Sequence, residues 1–319
     1  MAVALGHKFG NQMGAFFESA FHPLVEDFAG KHGLYLDRKG TRPVRKTAKK
    51  VKWIDTYGVA HDLDFVLERD GTPQSVGEPL AFIEIAWRRY TKHSRNKVQE
   101  IQGALLPIKQ RHRYSAPFLG ALLAGDYTSG ALHALRRCGF HVVYLPYSNV
   151  VRAFADVGVD VSSQENTPDR EFRRKLSQLK SLTAAQCQKV WVRISVDHAA
   201  EIRNFMEALE RAVDRRINTV TVVPLHGKPF ACPSVNDAIA FIQGYAENQP
   251  IGPLVKYEVR IRYDNGDSVD GNFRGKGDAI DFLRIYLPGE WRLMTDDVVP
   301  TEELVEDENG DDTGEAPSE

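Results

Sequence analysis

The chain has no apolar run approaching the ~18–20 residues of a membrane span, so no helix of it is expected to cross a bilayer. Its first residues, MAVALGHKFGNQMG, hold neither a signal-peptide apolar region nor a cleavage site. Cysteine is scarce. Cys138, Cys187 and Cys232 lie far apart, which excludes a disulfide framework and a CxxC zinc pair. A reducing cytoplasm is therefore the expected compartment. A phosphate-binding glycine loop is also missing, because GHKFGNQMG lacks the Gly-Lys-Ser/Thr ending and precedes no βαβ unit. His7, His61 and His93 are dispersed and suggest no zinc site.

Acids are absent from one segment and bases from another. Residues 38–52, RKGTRPVRKTAKKVK, hold eight basic residues and no acid, whereas residues 301–319 hold nine acids and no Lys or Arg. The overall charge of −2 thus hides a body of residues 1–300 with 41 basic against 34 acidic residues, a net of +7. The tail has the composition of a disordered segment. The basic body is compatible with nucleic-acid binding. The loop is either solvated or faces phosphates. In the second case Arg42, Arg45, Lys46, Lys49 and Lys50 are the expected contacts.

What is present suits a sizeable core: 42% of the 319 residues are hydrophobic and 10% aromatic, enough for one large domain or two ordinary ones. Phe16, Phe17, Ala20, Phe21, Leu24 and Phe28 recur at helical spacing and predict a helix over residues 9–32, with Pro23 as a bend. VKWIDTY and AHDLDFVLERDG flank Gly58 and read as one hairpin, followed by AFIEIAW as a third strand. A helix is expected from Ser94, its candidate N-cap, to Ile108. Strand, helix, strand and helix follow over residues 116–158. The order predicts an α/β (mixed α+β) fold, a mixed sheet flanked by helices over residues 1–160. Residues 161–198 read as a polar linker or helical connector. An internal repeat then appears, with Asp237-Ala238-Ile239-Ala240-Phe241-Ile242 echoed by Asp278-Ala279-Ile280-Asp281-Phe282-Leu283. Residues 199–300 are expected to hold a helix and two strand–turn–strand–helix copies as a second domain, ahead of the tail at 301–319.

The chemistry centres on acids in unusual places. AFIEIAW is apolar except for Glu84, and a lone carboxylate in such a strand requires a partner. Asp62 and Asp64, two apart on one predicted strand, share a face. Asp64 and Glu84 are expected to converge at the strand ends. Two carboxylates together repel unless a cation lies between them, and oxygen ligands suit Mg²⁺ or Mn²⁺. Lys97 and Glu100, three apart on the next helix, face roughly the same way. Either they are an ordinary helix-surface pair, or Lys97 stabilises developing negative charge and Glu100 ligates an ion. Arg88, Arg89, Lys92 and Arg95 make the following segment basic. Tyr90, Tyr114 and Trp87 interleave with it and offer stacking surfaces, although the apolar strand around Trp87 favours a core position.

These residues resemble the PD-(D/E)XK nucleases of the restriction-endonuclease-like fold. Asp64 in LDFVL and Glu84 in FIEIAW stand where that motif has its acids, and the similarity spans residues 9 to about 155. The resemblance implies a metal-dependent DNA endonuclease, a hydrolase of bacterial restriction or anti-phage defence. It would use Mg²⁺ or Mn²⁺ held by Asp64, Glu84 and Glu100, and Glu18 on the first helix is a further metal-ligand candidate. The chain departs from the motif at Ala86, where the family has lysine. Three accounts compete. The lysine has moved to Lys97, as Trp87, Ser94, Arg95, Asn96 and Glu100 resemble a subgroup with such a shift; Ala86 is an engineered knock-out; or the chain is a binding-only relative. Arg88 is a substitute cation on the same strand face. The alternative function is therefore a catalytically inactive nucleic-acid-binding or sensor subunit, alone, self-associated or with a defence partner. A third reading is an interaction module built on the repeat.

Overall fold

In the computed structural model, residues 5–249 and 252–287 are described, apart from the side chains of Lys92, His93 and Gln249. The acidic tail and the end of the expected second domain, residues 288–319, lie outside the described residues.

The phenylalanine stripe forms α1 (Leu5–Lys31), which buries Phe9, Met13, Phe17, Phe21, Val25 and Phe28 and continues through Pro23. The chain then makes β1 (Tyr35–Arg38), β2 (Val51–Ile54), β3 (Ala60–Leu63), β4 (Phe65–Arg69) and β5 (Glu78–Arg88). Next come α2 (Thr91–Arg111), β6 (Phe118–Gly125), α3 (Ser129–Arg137), β7 (Phe140–Pro146) and α4 (Tyr147–Ala155). A five-stranded mixed sheet results, in the order β1-β4-β5-β6-β7. β4 is antiparallel to both β1 and β5, while β5, β6 and β7 run parallel. Strand alternation sends Ile83, Ile85 and Trp87 into one core with α1 and α4, and Phe82 and Ala86 into a second core with α2 and α3.

Two local expectations change. The single hairpin of residues 51–69 is split. β2 and β3 pair with each other, and the chain bends at Asp64 before β4 joins the main sheet. Asp62 and Asp64 therefore do not share one strand. The helix starts at Thr91 and not at Ser94, whose hydroxyl is buried and donates to the Thr91 carbonyl at 2.7 Å. β1, which ends at Arg38 where the basic loop begins, was not expected; it pairs Asp37 and Arg38 with Val66 and Phe65.

The expected linker or helical connector, residues 161–198, is mostly helix: α5 (Asp169–Lys180) and α6 (Ala184–Asp197). α7 (Ala199–Val213) follows. Phe172, Leu179, Val190, Ile194, Phe205 and Leu209 from these helices join the α1 core. Their apolar residues are sparse in sequence, but they recur on one face, which the packing buries.

The repeat forms two strand–strand–helix copies. The first is β8 (Ile217–Pro224), β9 (Phe230–Cys232) and α8 (Val235–Gly244). The short pair β10 (Asn248–Gln249) and β11 (Gly252–Pro253) follows, and then β12 (Tyr257–Tyr263), β13 (Ser268–Phe273) and α9 (Lys276–Arg284). The sheet order β13-β12-β8-β9 puts the first strand of each copy at the centre, antiparallel to the other, in a pseudo-two-fold arrangement. Ala238 and Ile242 of α8 and Ala279, Phe282 and Leu283 of α9 share one core with both central strands. Neither copy buries enough surface alone, which is why they pack as a pair.

Candidate active site

β5 is longer than the strand beside it. The β4–β5 ladder ends at Phe65 opposite Ile83, while β5 continues against β6 as far as Arg88. Where β4 leaves, Asp64 takes over the pairing. The Ile85 N–H donates to the Asp64 carboxylate at 2.7 Å, and the Asp64 N–H donates to Glu84 Oε1 at 3.3 Å. The bend at Asp64 thus leaves no buried strand donor unpaired there, and it brings both acids to one point.

Both carboxyls are poorly solvated. Burial pushes Glu84 well above the usual carboxylate range; neighbouring Asp64 raises it further, while Lys97 pulls it back. Burial likewise raises Asp64, against the Ile85 N–H, Lys97 and Lys39. Glu18 is raised by burial and by Asp64, with Lys39 opposing. Glu84 lies on the β5 face that meets α2, and Lys97 of α2 acts electrostatically on both acids. Glu18, on α1, lines a cleft of about 250 Å³ with Ser19, His22, Arg38, Lys39, Asp64 and Phe65.

Glu100 is turned elsewhere. It lies 3.3 Å from Lys97 and 3.6 Å from Arg88 and is more than half exposed, so it acts on those cations and not beside the Asp64–Glu84 pair. Arg88 also donates to the Trp87 carbonyl, and Trp87 is core, stacked on Phe17 at 5.9 Å between ring centres.

The expected DNA contacts divide sharply. Arg42 is 1% exposed and ion-paired with Asp37 at 2.8 Å and Glu68 at 2.7 Å, so it belongs to the interior and not to a DNA surface. Arg45 is half-buried, reaching Asp37 at 3.2 Å and the Gly40 carbonyl at 2.9 Å. Arg89 is held by Asp126 and the Ser163 carbonyl and lies 3.8 Å over the Tyr147 ring. Arg42 and Arg89 are engaged by residues distant in the chain, Glu68, Asp126 and Ser163, whereas Arg45 is held by its near neighbours Asp37 and Gly40. Lys50 is exposed and paired with Asp62, while Lys46, Lys49 and Arg95 are exposed; the Lys92 side chain is among those not described. Sequence reading passed over Arg38, Lys39, Ser19 and His22 as parts of the cleft. Their only sequence signal was position: two basic residues opening the acid-free loop and two polar residues on the α1 face beside Glu18.

The donor set suits a hard divalent cation: carboxylate oxygens of Asp64 and Glu84, with Glu18 nearby, whose ionised forms are disfavoured unless positive charge is added. Glu18, Asp64 and Glu84 are not drawn together as tightly as His32, Glu210 and Asp214, whose ligand atoms all lie within 4.8 Å of one another at the surface. Among the described residues, no helix is long and apolar enough to cross a membrane.

No protein-family model matches the chain, and no curated protein matches it. Among solved structures, the chain is similar to that of a protein of unknown function, AF1548, with 12% identity, a TM-score of 0.27 and coverage of 58% of this chain and 98% of that one.

Proposed function

We propose that this protein is a metal-dependent DNA endonuclease on a restriction-endonuclease-like fold, acting in bacterial restriction or anti-phage defence. The observation that carries the reading is the reciprocal hydrogen bonding of Asp64 and Glu84 where β4 leaves β5, with Glu84 buried, Asp64 half-buried at the cleft, and Lys97 acting on both. The strand order β1-β4-β5-β6-β7 supports it. Asp64 and Glu84 would hold Mg²⁺ or Mn²⁺, with Glu18 as a further ligand. Such an ion polarises a phosphoryl oxygen and lowers the pKa of bound water. The chain's own residues do the rest. Lys97 supplies positive charge to the α2 side of the site and stabilises negative charge that develops at phosphorus. Glu100 orients Lys97 through their 3.3 Å ion pair. Arg38 and Lys39 border the cleft and counter the charge of an entering phosphate. Exposed Lys46, Lys49 and Arg95 extend the positive surface along the DNA backbone. The pseudo-symmetric C-terminal pair serves self-association or partner docking.

A second reading has its own observation. Ala86 fills the lysine position of the motif and is buried, and Lys97 is already engaged by Glu100. A nucleic-acid-binding or sensor subunit without catalysis fits that arrangement. Plasmid cleavage in Mg²⁺ or Mn²⁺ separates the two. The nuclease reading expects nicking or linearisation by the wild type and none by Asp64→Asn or Glu84→Gln. Lys97→Ala should cut at least about 10²-fold more slowly, with DNA affinity retained. A wild type that binds DNA but cuts no substrate in either metal favours the second reading.

A further inference from the structure

A second cavity lies where the two sheets approach, on the far end of α2 from Lys97. Its volume is about 640 Å³, within the ~300–1,000 Å³ typical of small-molecule sites. Lys109 lines it from the C-terminal part of α2, Arg113 from the turn that follows the helix, Phe118 and His141 from the starts of β6 and β7, and Asp267 from the β12–β13 turn. Asp267 is the one acid on this lining, and it is already taken: Arg215, itself buried, pairs with it at 3.1 Å, and Asn265 donates to it at 2.9 Å. The Lys109 ammonium has no hydrogen-bonded or ion-paired partner among the described residues. Burial and the nearby Arg215 lower its pKa, while Asp267 opposes them. Arg113 is exposed, with its guanidinium 4.3 Å over the Tyr114 ring. The wall therefore carries surplus positive charge that the protein does not neutralise. Beside it, the His141 ring stacks on Phe118 at 4.6 Å and 11° between planes, and His141 is exposed to solvent.

We propose that this cavity binds a small phosphorylated ligand carrying an aromatic base, a free mononucleotide, with Lys109 and Arg113 on the phosphate and the His141–Phe118 stack against the base. Arg113 donates to the Tyr114 hydroxyl at 2.6 Å, but neither it nor Lys109 is ion-paired with a described carboxylate, and such cations in a concave wall match a phosphate dianion through charge-assisted hydrogen bonds. A flat ring pair adds base stacking, which no inorganic anion can use. Because the wall joins α2 to the β12–β13 turn, occupancy ties the nuclease-like sheet to the C-terminal pair. The site does not depend on the nuclease reading, since none of its residues belongs to the Asp64–Glu84 centre.

Calorimetric titration of the full chain tests it, with AMP, inorganic phosphate, adenosine and a short DNA duplex as separate probes. AMP should bind more tightly than phosphate or adenosine and should raise the melting temperature as a ligand of the folded state. Lys109→Met and Arg113→Ala should each weaken AMP at least about tenfold. His141→Ala should weaken AMP and leave phosphate unchanged. Lys109→Met should fold, because it removes a half-buried charge that has no partner, and Glu84→Gln should bind AMP like the wild type. The proposal is overturned if AMP shows no binding at millimolar concentration or if the variants leave its affinity unchanged. It is also overturned if the duplex, and not AMP, loses affinity in Lys109→Met, for the cavity would then hold a backbone phosphate of bound DNA.

Discussion

Two buried glutamates occupy adjacent strands of the first sheet, Glu68 on β4 and Glu84 on β5. Glu68 is fully buried and fully served. Arg42 donates to both its oxygens at 2.7 and 2.8 Å, and the Gly77 N–H donates at 2.7 Å. Arg42 in turn reaches Asp37 and the Thr72 and Ser75 carbonyls. Glu84 receives one backbone N–H at 3.3 Å and faces Asp64, a second acid, with Lys97 as a counter-charge that acts on it without an ion-pair contact. Burial raises the pKa of both glutamates, yet only Glu68 has a bidentate cation against it. The difference separates a buried charge that locks a loop onto a sheet from one left short of positive charge. The second kind is the arrangement on which the proposed cation site rests.

The largest test of this contrast is Arg42→Met. Breaking one side of a buried pair strands Glu68 and Asp37, so denaturant unfolding should show a loss of about 3–5 kcal/mol. A loss typical of a surface basic residue would return Arg42 to the DNA-binding set. Next come matched amides. Glu68→Gln should destabilise by about 1–3 kcal/mol, since it weakens a satisfied network. Glu84→Gln should instead stabilise the metal-free protein by about 0.5–2 kcal/mol, the usual range for a single stabilising substitution, and on the proposed nuclease reading it should abolish cleavage. Equal signs for the two would erase the distinction.

The pH dependence sharpens it further. An acid whose native pKa is raised binds its proton more tightly when folded, so stability falls as pH rises from the ordinary carboxylate value to the native one. The advantage of Glu84→Gln should be greatest at neutral and higher pH and should vanish near pH ~4.5. His112 acts in the opposite sense. Burial lowers it to about 4, with Arg111 adding to the effect, so its share of stability is lost as pH falls from the usual histidine value towards that point. Comparing Glu84→Gln with wild type at each pH cancels the His112 contribution. The smallest effect is expected at the exposed bases. Lys49→Ala or Arg95→Ala should reduce the salt slope of DNA binding by about one unit each and leave stability unchanged.

Much of the framework was legible in the chain. The spacing of Phe16, Phe17, Phe21 and Phe28 made α1, and the echo of residues 237–242 in 278–283 marked the paired copies. The isolation of Glu84 among apolar residues marked the site. These signals are local: each depends on periodicity or on one residue's mismatch with its neighbours.

What the sequence by itself determined is therefore the strongly periodic elements, such as α1 and the paired copies, and the mismatch of Glu84 with its apolar strand. Only the tertiary structure decided which partner each charge has. Arg42 and Arg45 sit in the same basic loop as Lys39 and Lys49, and composition treats all four alike. Arg42 meets Glu68 and Arg89 meets Ser163 because strand pairing and helix packing bring distant residues together. The bend at Asp64 was equally hidden, since it arises where β4 parts from β5 and the Asp64 carboxylate takes the Ile85 N–H. The helices of residues 169–213 also found their core only through α1. Charge pairing and ladder termination depend on distances across the fold, and neighbours in sequence carry no record of them.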